Sequence, residues 1–490
     1  MECGSSPGPP VFPHMNDTMM KYVLIVPDGV GIRNFFCTRV IDDLLTSGSV
    51  IVWHNLPAES IAPFRGRWGD RVRWVRLPDI RDGVLERLFR QSKIYAQLTW
   101  QHGRGPNVQL SRVRPPARLK AKIPYLAARV LGRICASPRG TFWLDRMHQR
   151  FALGAPHTEK FTAFLRDERP DLLFCTHQRA IEAVPAMLAA RTLAIPSAVF
   201  IYSWDNMPKG RMAVYADTYL VWSEYMKREL LKYYPDVAPE RVRVAGTPQF
   251  ENYFNQALIV PREKFFAGLR LDLQRPVVCF SGNDTRSPYD PIYLEDLADA
   301  LLRLPAATRP QILFRRSPVD TSGRFDGVLR RHPEIAVSDP RWQKVGDGRW
   351  EQLVPTQEDV ELLVNVVYHA DAVVNVGSTM GMDFAIFDKP GIYIAYNPEN
   401  PRADWDIHET YQFPHFVPVH ELQPIYWAKS RDELTGLVAH VLANRSEKSD
   451  ARKAWLDLIV AQPLAKASER FADEMRALAG ARHMETVAAG

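Results

Sequence analysis

Short apolar, β-branched runs recur along the chain, and each ends in a polar or glycine-bearing turn before an amphipathic stretch. Residues 21–27 (KYVLIVP), 50–54 (VIVWH), 72–77 (VRWVRL), 171–176 (DLLFCT), 195–202 (IPSAVFIY), 217–222 (DTYLVW) and 241–245 (RVRVA) form one such series. β-Branched and aromatic side chains fit a pleated sheet, and near-continuous apolar runs fit strands covered on both faces. The intervening stretches 158–166, 181–190 and 224–232 read as helices. A second series starts at 276–280 (PVVCF) and continues at 311–315 (QILFR), 372–376 (AVVNV) and 391–395 (GIYIA), with helices expected near 293–304, 357–369 and 379–387. Alternating strands and helices imply a parallel sheet flanked by helices. The fold class predicted is therefore α/β, with two doubly wound, Rossmann-like parallel-sheet domains and a cleft between them.

The chain has 490 residues, enough for two domains. The expected division is a first domain over 19–258, a linker over 259–275, a second domain over 276–430 and a helical, alanine-rich tail over 431–490. Residues 1–18 are rich in Pro and Gly without a basic apolar stretch. They read as a disordered leader, not a signal peptide, with Met19 or Met20 the natural beginning. No run of about 18 apolar residues occurs, so no spanning helix is expected. Cys3, Cys37, Cys135, Cys175 and Cys279 are scattered and make no C-x-x-C pair. That usage points to a reducing, cytoplasmic compartment without a disulfide framework.

Charge is unevenly placed. Between Arg87 and Thr141 there is no Asp or Glu, while twelve Lys and Arg fall in that window. With a net charge of +6 for the whole chain, the rest is therefore acidic. A basic insertion over about 87–144, with apolar residues 123–131 (IPYLAARVL) inside it, points to an anionic membrane surface or an acceptor-docking element rather than to nucleic acid. A solvated helical face would give the same pattern.

Residues 377–390 read GSTMGMDFAIFDKP. This segment resembles the donor-binding signature of GT-B nucleotide-dependent transferases, and most closely that of the CDP-glycerol glycerophosphotransferases. Ser378, Thr379, Asp383, Phe384, Ala385, Asp388, Lys389 and Pro390 match, with Thr379 in place of a second Ser. Gly246-Thr247-Pro248 resembles the Gly-x-Pro turn of GT-B proteins, sugar-nucleotide epimerases included. The similarity covers roughly residues 170–400; the first 150 residues match in pattern only. The resemblance implies that a nucleotide-sugar donor is a substrate and that no cofactor or metal is needed. Ser378 and Thr379 at a helix start would meet the donor diphosphate, and Asp383 the ribose. Arg315, in a loop resembling Arg-x-His-Pro but with Ser317 for the His, would hold a phosphate. Ser281 and Asn283, after the second domain's first strand, and His415, after its last, complete the expected donor set. Asp404-Trp405-Asp406 is a D-x-D in a late loop and is not read as a metal site.

In the glycerophosphotransferases the strand corresponding to 195–202 ends in a Trp-His-Gly-x-Pro type motif whose His resembles a general base. Here the turn reads SWDNMPKG: Trp204 and Pro208 match, and Asp205 replaces the His. Asp205 is the expected base, with Asp28 and His177 its rivals at neighbouring strand ends. Asn206 and Lys209 are the expected acceptor contacts. The function expected is sugar transfer from a nucleotide-sugar donor to a glycan or lipid-linked hydroxyl acceptor in surface polysaccharide or glycolipid synthesis, at the cytoplasmic face of a membrane. The alternatives are a CDP-glycerol-type polyol-phosphate transferase, a UDP-sugar 2-epimerase on the same fold, and a degenerate binding protein that uses the basic segment as a partner surface.

Overall fold

The computed structural model describes residues 19–102, 116, 119–344 and 353–488; the leader expected over 1–18 lies outside them. Seven strands, β1 (Met20–Val26), β2 (Gly48–His54), β3 (Val72–Arg76), β4 (Leu172–Cys175), β5 (Ser197–Phe200), β6 (Thr218–Val221) and β7 (Val242–Val244), form one sheet in the order β3-β2-β1-β4-β5-β6-β7. Every pairing in it is parallel. The interior strand β1 is buried from Tyr22 to Val26 without alternation, as a sheet covered on both faces requires.

The second sheet repeats the plan. β8 (Val277–Ser281), β9 (Gln311–Arg315), β10 (Ala336–Ser338), β13 (Ala372–Asn375), β14 (Gly391–Ile394) and β15 (Tyr426–Ala428) lie parallel in the order β10-β9-β8-β13-β14-β15. A short antiparallel ribbon, β11 (Gln343–Lys344) with β12 (Leu353–Val354), is inserted between β10 and β13. β10, β15 and the ribbon have two or three residues each, too few to show a period in the sequence.

The same device closes three strand starts. The aspartate just ahead of β4, β6 or β13 takes the free amide at the start of the neighbouring strand: Asp171 accepts from Lys21 at 2.8 Å, Asp217 from Ser197 at 3.0 Å and Asp371 from Val277 at 2.8 Å. These three strand starts are thereby satisfied internally. In both sheets the chain order reverses beside the first strand, between β1 and β4 and between β8 and β13. Such switch points open a crevice at the carboxyl ends of the strands.

Three of the expected segments are structured as follows. The linker over 259–275 contains a helix, Arg262–Leu269, whose neighbourhood is tied to the second domain by Asn365 accepting from Val260 at 2.8 Å. The basic insertion is a three-helix unit, Val84–His102, Leu119–Ile134 and Pro138–Leu153, so it starts before residue 87 and ends after 144. Some of its charge is internal: Lys93 is fully buried 2.9 Å from Asp145, which also receives Arg211 Nε at 2.5 Å. The tail is helical as expected, but it is a strap. After the helices Glu433–Ala443 and Ser449–Ile459 it returns to the first domain as Ala467–Ala488, where Phe471 packs on Phe35, Phe174 and Phe200 at 5.0–5.5 Å.

Candidate functional site

The second domain supplies the floor of a cavity of about 180 Å³. β8 ends at Ser281 and β13 at Asn375, adjacent in the sheet. Asn375 Oδ1 accepts the Ser378 amide at 2.8 Å and so folds the turn after β13 back on itself. Gly377 holds φ +63°, and a Cβ there would strike the Phe416 ring, so the turn admits glycine alone. Ser378 Oγ receives the Met380 amide at 3.4 Å, while Thr379 makes no side-chain cap to the helix Met380–Ala385. Ser281, Ser378 and Thr379 line the cavity. The helix has six residues, so its dipole contributes little of the positive field that its position suggests.

Three further expected donor contacts, Arg315, Asp383 and Asn283, also line the cavity, and each holds a partner in its wall. Arg315 is 4 % exposed and gives its guanidinium to Asp359 at 2.7 Å, so its charge is already neutralised inside the wall. Asp383 borders the cavity but accepts the Tyr253 hydroxyl at 2.8 Å; burial raises its pKa, against the opposing pull of Arg33 and of that hydrogen bond. Asn283 clamps two loops together, its side-chain amide donating to Val376 O at 2.8 Å and its backbone N–H to Asp290 at 2.6 Å. The D-K-P end of the signature is also structural. Lys389 donates to the carbonyls of Val367 and Ala370, at the end of the helix Gln357–His369, and Asp388 accepts from the buried Arg452 at 2.8 Å.

The positive charge comes from a residue that the sequence reading passed over. Arg33, in the helical turn Ile32–Phe36 that follows β1, reaches from the first domain into the same cavity. Among the described residues it forms no ion pair, unlike Arg315 and Arg316, which face Asp359 and Asp339. The approach of the two domains at this point is close: a Cβ on Gly29 would collide with the Leu353 carbonyl of β12. The signal was available in Arg33 itself, five residues beyond the Asp28 that opens the turn after the same strand.

The first domain's own switch point brings Asp28 and His177 together. Asp28 accepts the Val30 amide at 3.0 Å and holds the turn after β1. His177 follows β4, is buried, and stacks on Tyr202 with ring centres 4.3 Å apart. Its Nδ1 accepts the Arg179 amide at 3.2 Å, which places the ring proton on Nε2, 3.7 Å from Asp28 Oδ2. Burial, with Arg179 nearby, pulls the imidazole pKa down to about 3. An unfolded chain takes up this proton from about pH 6.5 downward, whereas the folded one refuses it until about pH 3. This histidine is therefore neutral at ordinary pH, and it weakens the fold as pH falls through that window.

Asp205 does not stand free as expected. It is ion-paired with Lys209 and accepts the Ser203 hydroxyl at 2.7 Å. Burial acts to raise its pKa, but the charges of Lys209 and His415 and these hydrogen bonds outweigh it and hold the carboxyl well below the usual range. A carboxylate so stabilised is a weak base, and Lys209 is spent on it. Trp204, beside it, is buried against His415 at 4.9 Å and Phe416 at 6.3 Å. His415 thus meets this turn rather than the Arg33 cavity, with burial lowering its pKa to about 4. The SWDNMPKG turn is an interdomain contact. Asn206 within it is buried next to the Tyr202 hydroxyl. Asp406, of the D-x-D, caps the helix Ile407–Tyr411.

No protein-family model matches the sequence, and no curated protein does. Solved structures do resemble it. A glycosyltransferase from Rickettsia africae ESF-5 aligns over 94% of this chain and 99% of its own, at 8% identity and a TM-score of 0.51. A UDP-N-acetylglucosamine 2-epimerase aligns over 93% of this chain and 95% of its own, at 10% identity and a TM-score of 0.50. The wall teichoic acid polymerase TagF, soaked with CDPG, covers 95% of this chain at a TM-score of 0.44, too loose a likeness to argue from. The first two establish the fold: two parallel-sheet domains in the GT-B arrangement.

Proposed function

We propose that the cavity between the switch points holds the diphosphate of a nucleotide-sugar donor, and that the protein transfers the sugar to a hydroxyl of a glycan or lipid-linked acceptor. The observation that carries the reading is Arg33: a cation with no ion pair among the described residues, in a recess that also presents Ser281, Ser378 and Thr379. A guanidinium and hydroxyls lining one small volume suit phosphate oxygens, and the carboxyls of Asp359 and Asp383 that also line it are held by Arg315 and Tyr253. The recess is too small for a whole nucleotide sugar. A neighbouring recess of about 280 Å³ shares Asn283 and Ser317 with it and adds Trp405, giving the nucleoside a place to extend.

In transfer, the acceptor oxygen bonds to the anomeric carbon as the bond from that carbon to the diphosphate oxygen breaks. The acceptor proton goes to a base and the charge grows on the leaving diphosphate. Arg33 faces that charge. Asp28 is assigned as the base because it caps the turn after β1 that carries Arg33, five residues on, into the cavity. His177 is a positioning residue: its Nε2 carries a proton 3.7 Å from Asp28 Oδ2, beyond hydrogen-bond distance, so it biases the carboxylate through its dipole and has no lone pair to offer there.

Arg33→Gln is expected to weaken binding of a nucleoside diphosphate by roughly ten- to a hundredfold, since a hydrogen bond to a charged group contributes about 1.5–3 kcal/mol. Calorimetry with UDP and CDP measures it; unchanged affinity removes the diphosphate from this recess. Product analysis then separates the reactions. Sugar transfer releases a nucleoside diphosphate only when acceptor is present. Polyol-phosphate transfer releases a nucleoside monophosphate, and epimerisation converts the donor without an acceptor.

A further inference from the structure

We propose that the outer face of the three-helix insertion docks on an anionic lipid surface. The helix Leu119–Ile134 packs on Val84–His102 through Tyr125, Ala128 and Gly132. Tyr125 meets Tyr95 edge-on at 5.7 Å, Ala128 is fully buried, and a Cβ on Gly132 would lie 2.7 Å from Tyr95 Cβ. Residues three and four apart share a helix face, so the opposite face belongs to Ile123, Leu126, Val130 and Ile134. These four are 53–78 % exposed, an unbroken apolar stripe turned away from the protein. Phe142 and Trp143 on the next helix extend the exposed apolar area.

The surroundings of the stripe identify its occupant. Lys122, Arg129, Arg133, Arg139 and Arg146 are all exposed beside it, and the segment from Arg87 to Thr141, which holds the first four, contains no acid. An apolar stripe with a cationic margin matches the acyl and headgroup layers of an anionic membrane. It does not match a second copy, whose equally cationic margin would repel it. No helix among the described residues is long and apolar enough to cross a membrane, so the stripe lies on the surface.

The insertion is rigidly joined to the cleft. Arg211, just beyond the SWDNMPKG turn, bonds Gln97 at 3.1 Å and Asp145 at 2.5 Å on its helices. Docking by this face would hold the first domain's side of the cleft in a fixed relation to the bilayer. The docking does not depend on the donor chemistry, so either can fail alone.

The test is flotation of the full-length protein with vesicles of phosphatidylcholine alone or mixed with phosphatidylglycerol, at low and high salt. Binding to the mixed vesicles only, weakened by salt, is expected. Ile123→Ser/Val130→Ser/Ile134→Ser and Arg129→Glu/Arg133→Glu should each reduce it at least tenfold, with UDP affinity and thermal unfolding unchanged. Flotation with neither vesicle, equal flotation with both, or serine and glutamate variants that float like the native protein would overturn the proposal. A dimer in light scattering that the serine variant dissolves assigns the stripe to a second copy and also overturns it.

Discussion

Asp28→Asn is expected to lower turnover by roughly a hundred- to ten-thousand-fold, the usual cost of losing a positioned general base, with nucleotide affinity unchanged. The fold should survive, because an asparagine oxygen can still accept the Val30 amide that Asp28 Oδ1 accepts at 3.0 Å. His177→Ala should cost less, since it removes the orienting N–H and leaves the carboxylate. The distinction appears in the pH profile. His177 is neutral down to about pH 3, so the acid limb of turnover belongs to a carboxyl and persists in His177→Ala. Asp205→Asn should leave turnover within a few-fold, because that carboxylate is tied to Lys209 and Ser203. A collapse of turnover in Asp205→Asn, with full activity in Asp28→Asn, would return the role to the SWDNMPKG turn.

These three residues show how far the sequence could be read. Strand ends were legible, because apolar runs stop where polar turns begin, and the switch-point rule then placed Asp28 and His177 in one crevice. What a side chain does there was not legible. Asp205 and Lys209 are four residues apart in a turn, and only the backbone path shows that they spend their charges on each other. Arg315 looked available because its partner, Asp359, lies forty-four positions away. Arg33 was missed for the converse reason: its value comes from what is absent around it. The exposed stripe on Leu119–Ile134 was visible as apolar residues among cations, but which face of that helix packs on Tyr95 is a property of the three-helix unit.

The Arg315–Asp359 pair tests whether the wall of the cavity or its contents uses that arginine. Both side chains are about 5 % exposed, and Asp359 also accepts Trp342 Nε1 at 2.7 Å and the Arg341 amide at 2.8 Å. Removing one member of a buried pair leaves the other charge without compensation, at a cost of about 3–5 kcal/mol. Asp359→Ala is therefore expected to destabilise the second domain by that order, read as a fall in its denaturant midpoint. Arg315→Met should be milder, because Asp359 keeps its Trp342 and Arg341 donors. Combining Arg315→Met with Asp359→Leu should recover much of the loss, since neither charge remains to be compensated. If Arg315 were a phosphate ligand, Arg315→Met would abolish UDP binding while leaving the midpoint near native. The geometry favours the opposite order: a midpoint that falls and an affinity that changes little, with Arg33 carrying the anion.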